Sequence, residues 1–178
     1  VKVVGTDALR RAADSAAFVA EIETLLGVPV QVISGEQEAR TIYRGVLAGK
    51  RARQQPVAEP ALIIDIGGGS TELVLGKGDD VLACSSLPLG CVSYSKRFFP
   101  QQLSDRKTFE QSLQALEDEL APMREIYFSG NWQQGIGTAG TALAIEEVLQ
   151  ALGWVKSGIT HAGLERLADT LCQGENMA

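Results

Sequence analysis

The sequence has one histidine, three cysteines and only 6% aromatic residues. It has no apolar run near the ~20 residues of a membrane span, which excludes a spanning helix. It also lacks an excess of basic charge: the formal net charge is −6, which argues against a general nucleic-acid or membrane-surface binder. Cys84, Cys91 and Cys172 are odd in number and without metal-ligand spacing, as expected of reduced thiols in a cytoplasmic protein. His161 falls at an expected helix start, where surface or capping use is expected of it. No internal repeat, low-complexity segment or signal peptide is evident. The chain opens on VKVV without an initiator Met, as expected of a piece of a longer protein.

What is present is an ordinary globular composition, 45% hydrophobic over 178 residues, arranged around one stretch. In ALIIDIGGGSTELVLG (61–76), Ala61–Ile66 is a β-branched apolar run that predicts a buried strand. Gly67, Gly68 and Gly69 then force a tight turn, and Ser70, Thr71 and Glu72 lead into a second strand, Leu73–Gly76. Successive backbone N–H groups in such a turn form a nest for an anion. Asp65 and Glu72 flank it with carboxylates suited to a hard cation, the pairing that phosphoryl chemistry needs. The plain alternative is a glycine-rich hairpin turn with a capping Asp.

Upstream, Val1–Val4 predicts a short strand. One amphipathic helix follows, carrying Leu9 to Leu26 at helical spacing, capped by Thr6 or Asp7 and closed by Gly27. Val28–Ile33 is a strand. Ser34 and Gln37 fit a capping box for a helix whose apolar stripe is Ala39, Ile42, Tyr43 and Val46. Glu38 lies about 100° from the centre of that stripe, on its shoulder. Residues 49–60 (GKRARQQPVAEP) predict a linker. The basic cluster Arg40, Arg44, Lys50, Arg51 and Arg53 reads equally as a solvated helix end or a polyanion attractor.

Downstream, Val81–Leu87 continues a meander and Cys91–Phe99 predicts a helix. Ser104 caps a long helix that Pro122 ends. GIGTAG (135–140) matches a dinucleotide fingerprint only literally, since NWQQ before it is not a strand. A phosphate- or substrate-facing loop at Gly137–Thr141, or a helix-start turn, is expected there. Ala142–Leu152 and a helix from Thr160 through Cys172 complete the chain. The order predicts an α/β fold of ribonuclease-H-like modules in the actin-like arrangement: residues 1–48 end a first module, and 61–178 form most of a second. Ligands then bind where the strand ends meet. Residues 1–48 lack strand partners, so self-association or disorder is expected of them.

VISGEQEARTIYRGV (32–46) followed by LIIDIGGGSTELVLG (62–76) resembles the exopolyphosphatase/guanosine pentaphosphate phosphatase family. VKVVGTDALR (1–10), SLPLGCVSYSKRFF (86–99) and GTAGT (137–141) are similar to further segments of it. The resemblance implies release of terminal phosphate from inorganic polyphosphate, or of the 5′ γ-phosphate from pppGpp, with Mg²⁺. It implies that Glu38 is the catalytic glutamate, that Asp65 and Glu72 serve the metal and the water, and that Gly67–Thr71 bind phosphate. A cytoplasmic homodimer is expected.

The family's N-terminal D-x-G-S-N-S loop and its C-terminal glycine-pair loop do not occur in these 178 residues, so little activity is expected of them alone. Two other readings stay open. One is another actin-like ATPase, such as a sugar kinase or chaperone nucleotide domain. The other is a non-catalytic sensor that closes around a polyanion or nucleotide.

Overall fold

Two sheets of unequal size organise the chain, and one helix joins them. The computed structural model describes residues 1–100 and 105–173. In the small sheet, β1 (Val3–Gly5) pairs in parallel with β2 (Val30–Val32). Between them run α1 (Asp7–Arg11) and α2 (Ser15–Leu26), neither of which buries a residue fully. The single helix expected over residues 9–26 is thus divided. Ala12 adopts ψ 130, which ends α1, and Asp14 precedes a new start. Gly27 closes α2 in the left-handed region at φ 64, a conformation glycine adopts without strain.

The Ser34–Gln37 capping box forms as expected, with the Ser34 hydroxyl accepting from the Gln37 N–H and the Gln37 side chain accepting from the Ser34 N–H. It opens α3 (Gly35–Ala52), which runs through Lys50 and Arg51 into the stretch predicted as linker. Polar residues there are good helix formers, and cations suit the negative end of the helix dipole. Only from Arg53 does the chain leave the helix.

The large sheet has the order β5-β4-β3-β6, with β3 (Ala61–Ile66), β4 (Thr71–Lys77) and β5 (Asp80–Leu87) an antiparallel meander. β6 (Gln134–Thr138) lies parallel to β3. Period-two alternation divides its core. Ile63 and Val74 pack on one face against Ala39, Tyr43 and Leu47 of α3. Leu62, Leu73 and Leu75 pack on the other against Tyr127. Although sequence order groups α3 with the first unit, its buried stripe covers the second unit's sheet across β4 and β5. Tyr43 packs directly against Gly76, where any Cβ would collide with its ring, and its hydroxyl donates to the Gly78 carbonyl at 2.8 Å.

After β5 come α4 (Cys91–Phe98), α5 (Arg106–Leu120), a 3-10 turn at Ala121–Met123 and α6 (Arg124–Tyr127). The expected cap Ser104 lies outside the described residues; Asp105 caps α5, accepting from the Thr108 N–H at 2.8 Å. Pro122 falls in the 3-10 turn that ends α5. After β6 the chain forms α7 (Ala139–Ala151) and α8 (His161–Cys172). His161 opens α8 on the surface, 3.4 Å from Glu165. Among the described residues no helix is long and apolar enough to cross a membrane.

Candidate active site

Asp65 and Glu72 are register partners on β3 and β4, so the two carboxylates stand opposite each other where the strands meet the glycine turn. The turn is tight: the Gly67 N–H donates to the Ser70 carbonyl at 2.9 Å. Helix α4 holds it from behind. The Cys91 N–H donates to the Gly67 carbonyl, and those of Val92 and Ser93 to the Gly68 carbonyl, all within 3.0–3.2 Å. Gly90 allows this approach, since any Cβ there would collide with the Gly68 carbonyl. In a trans peptide the N–H points opposite the C=O. With the Gly67 and Gly68 carbonyls turned to α4, the N–H groups of Gly68 and Gly69 therefore face the other way. The turn read from the sequence as a candidate anion nest is thus braced by α4.

Glu38 projects from the first turns of α3 into the same cavity, of about 580 Å³, that Asp65, Gly67, Gly68, Gly69, Ser70 and Glu72 line. Arg10 of α1 holds it: Nη1 donates to Glu38 Oε2 at 2.8 Å and to the Ile33 carbonyl at 2.9 Å. Glu72 is the deepest of the acids, 2% exposed. Burial pushes its pKa above that of an ordinary glutamate, and the charges of Glu38 and Asp65 add to the effect. The Ser86 and Ser70 hydroxyls act against it by donating to the carboxylate, Ser86 at 2.7 Å. Asp65 accepts from the Thr138 hydroxyl on β6. Its supports are therefore cross-strand on both sides.

Seven of the eight residues singled out in the sequence line one cavity, and Thr71 stands behind it. Thr71 is buried as the first residue of β4 and donates its hydroxyl to the Leu89 carbonyl, so its side chain braces the loop. The basic cluster lies elsewhere. Arg40 pairs with Glu36 and Arg51 with Asp79, and none of its five members lines the cavity. The cations that do are Arg11 and Lys96, with Arg10 bound to Glu38. Arg10 and Thr138 were not singled out, although both fall inside segments that carry the family resemblance. Arg10 reads in sequence as a cation at a helix end, and only the fold brings it to Glu38. Of Gly137–Thr141, expected as a loop or a helix-start turn, Gly137 and Thr138 end the strand β6 and the rest begin α7; Gly140 and Thr141 line an apolar groove with Gly67 and Gly68. Ala139, at φ 65, turns the chain from β6 into α7.

The acids offer only oxygen donors, which suits a hard cation such as Mg²⁺. Among the described residues no group of three or more His, Cys, Asp or Glu is arranged to hold a metal. Mg²⁺ keeps several waters and takes one or two carboxylates plus substrate phosphate oxygens, so the Asp65–Glu72 pair beside an anion nest fits it.

A mixed sheet with a glycine turn between its first two strands, faced by an acid on the preceding helix, defines a module of the actin-like ATPase type. The chain belongs to the Ppx/GppA phosphatase family, whose sequence pattern matches residues 1–178. It is 38% identical over 169 residues to a guanosine-5′-triphosphate,3′-diphosphate pyrophosphatase of Vibrio vulnificus, covering 94% of this chain and 32% of that protein. Among solved structures, the Aquifex aeolicus Ppx/GppA family member superposes with a TM-score of 0.74 at 28% identity, over 97% of this chain and 55% of that one. An exopolyphosphatase from Cytophaga hutchinsonii superposes with a TM-score of 0.77 at 25% identity, over 97% of this chain and 57% of that one. The chain thus spans about a third of the curated relatives and little more than half of the solved ones.

Proposed function

We propose that the protein containing this chain is a phosphohydrolase that removes the terminal phosphoryl group of a polyphosphorylated anion by in-line attack of water. The substrate is the 5′ γ-phosphate of pppGpp or the end of inorganic polyphosphate, and the identity to the Vibrio protein puts pppGpp first. The observation that carries the reading is one cavity holding Glu38, the glycine nest and the Asp65–Glu72 pair. In this reading residues 1–48 end one ribonuclease-H-like module and 61–178 begin the next. The protein works in the cytoplasm as a homodimer.

Arg10 occupies Glu38 Oε2, which leaves Oε1 to accept a proton from water. The water oxygen bonds to the terminal phosphorus as the bridging P–O bond breaks, and Glu38 takes the water's proton. The N–H groups of Gly68 and Gly69 offset charge on the phosphoryl oxygens, preorganised by α4. Mg²⁺, held by Asp65 and Glu72, supplies further charge neutralisation when bound.

The test is phosphate release by the full-length protein from pppGpp and polyphosphate separately, with and without Mg²⁺. Release from one substrate that falls to background on chelation supports the reading and names the substrate. Saturable binding without release favours the sensor. ATP hydrolysis with neither of the other activities favours another actin-like ATPase.

A further inference from the structure

Arg10 is committed to Glu38 and the Ile33 carbonyl, while two further cations, Lys96 and Arg11, line the cavity itself. Lys96 stands on α4, whose first amides are bonded to the carbonyls of Gly67 and Gly68, so helix and loop form one body. Val92, Ser93 and Lys96 share one face of that helix, and all three line the cavity. The next residue, Arg97, is used differently. It pairs with Glu119 at 3.3 Å and lies over the Tyr94 and Phe98 rings. Among the described residues no carboxylate lies within ion-pair distance of Lys96. Arg11, on α1, is more than half exposed and reaches Asp7 only at 3.7 Å.

Burial gives the cavity a direction. Its inner end holds Ser70 and Glu72, both nearly inaccessible, while Lys96 and Arg11 are exposed at its outer end. A terminal phosphoryl seated on the nest leaves the remainder of a polyanion to pass the two cations. We propose that Lys96, with Arg11, forms the binding subsite for the phosphates that are not transferred. The inference rests on the phosphohydrolase reading and deepens it. A lysine at this place is a compact, mobile point charge that accepts successive phosphates without demanding one register. An exposed cation of this kind acts on encounter and on salt dependence more than on the bond-breaking step. Its loss therefore raises KM rather than lowering kcat.

The experiment compares the full-length protein with its Lys96→Glu and Lys96→Arg variants, measuring initial rates of phosphate release across a salt series. The substrate is whichever of pppGpp and polyphosphate the wild type hydrolyses. Lys96→Glu is expected to raise KM about tenfold, keep kcat within about threefold, and flatten the fall of kcat/KM with salt. Lys96→Arg keeps the wild-type salt dependence. Wild-type KM and salt dependence in Lys96→Glu would overturn the proposal alone. Absence of release by the wild type would overturn the phosphohydrolase reading and this subsite with it.

Discussion

Residues 1–34 contribute no side chain to the hydrophobic core, and Phe18, Leu25 and Leu26 are at least half or nearly half exposed. The large sheet and α3, by contrast, bury Tyr43, Leu62, Ile63, Val74 and Tyr127 almost completely. The difference bears on the site. Asp65, Glu72 and the glycine nest belong to the dense part, and so does Glu38, because α3 packs on that sheet. The sparse part brings Asp7 and Arg11 to the same cavity and Arg10 to Glu38. The residues proposed for the chemistry sit on the well-packed scaffold, while the loosely packed elements supply charge that meets it. Arg10 and Glu38 are where the two join.

The contrast is sharpest in stability. Tyr43→Ala removes a fully buried ring and its hydrogen bond, and is expected to cost about 3–5 kcal/mol in urea unfolding. Glu72→Gln tests the dense part's one liability. Burial raises the Glu72 pKa, so the folded chain holds that proton more tightly than the unfolded chain. Its contribution to stability is complete below the unfolded carboxylate pKa and is lost as pH rises through the folded one. Glu72→Gln is therefore expected to be more stable than the wild type at about pH 8 and equal to it below about pH 3.5, while losing the ligand proposed for the metal. Equal midpoints at both pH values would show that the carboxylate is not strained by burial. At the small end, Leu25→Ala, at a site 76% exposed, is expected to change stability by less than about 0.5 kcal/mol. A loss like that at Tyr43 would break the comparison.

The central hairpin was legible because its signals are local: an apolar β-branched run, three glycines and a second run specify β3, the turn and β4 with little outside help. The capping box of α3 was legible for the same reason, since Ser34 and Gln37 satisfy each other. Where tertiary contacts decide, the sequence was mute. The periodicity of Leu9 to Leu26 continues across the break at Ala12, so nothing in the pattern marks it. Glycine-rich GIGT becomes a strand because β3 offers it a backbone partner, which a single-segment reading cannot see. Polar composition at 49–52 suggested coil, although Lys and Arg propagate helix well. Of the residues at this cavity, Asp65, Glu72 and the glycines stand out in the sequence itself and Glu38 only through the family resemblance, while Arg10, Thr138 and Ser86 meet partners 28, 73 and 14 residues away.

The most direct measurement is turnover and substrate binding by the full-length protein beside its Glu38→Gln variant, in Mg²⁺. Substrate affinity and unfolding midpoint near wild type, with kcat lower by about a thousandfold, is the predicted result. Hydrolysis at an undiminished rate in the variant would contradict the role of Glu38, and with it the reading of this cavity as the place where water attacks phosphorus.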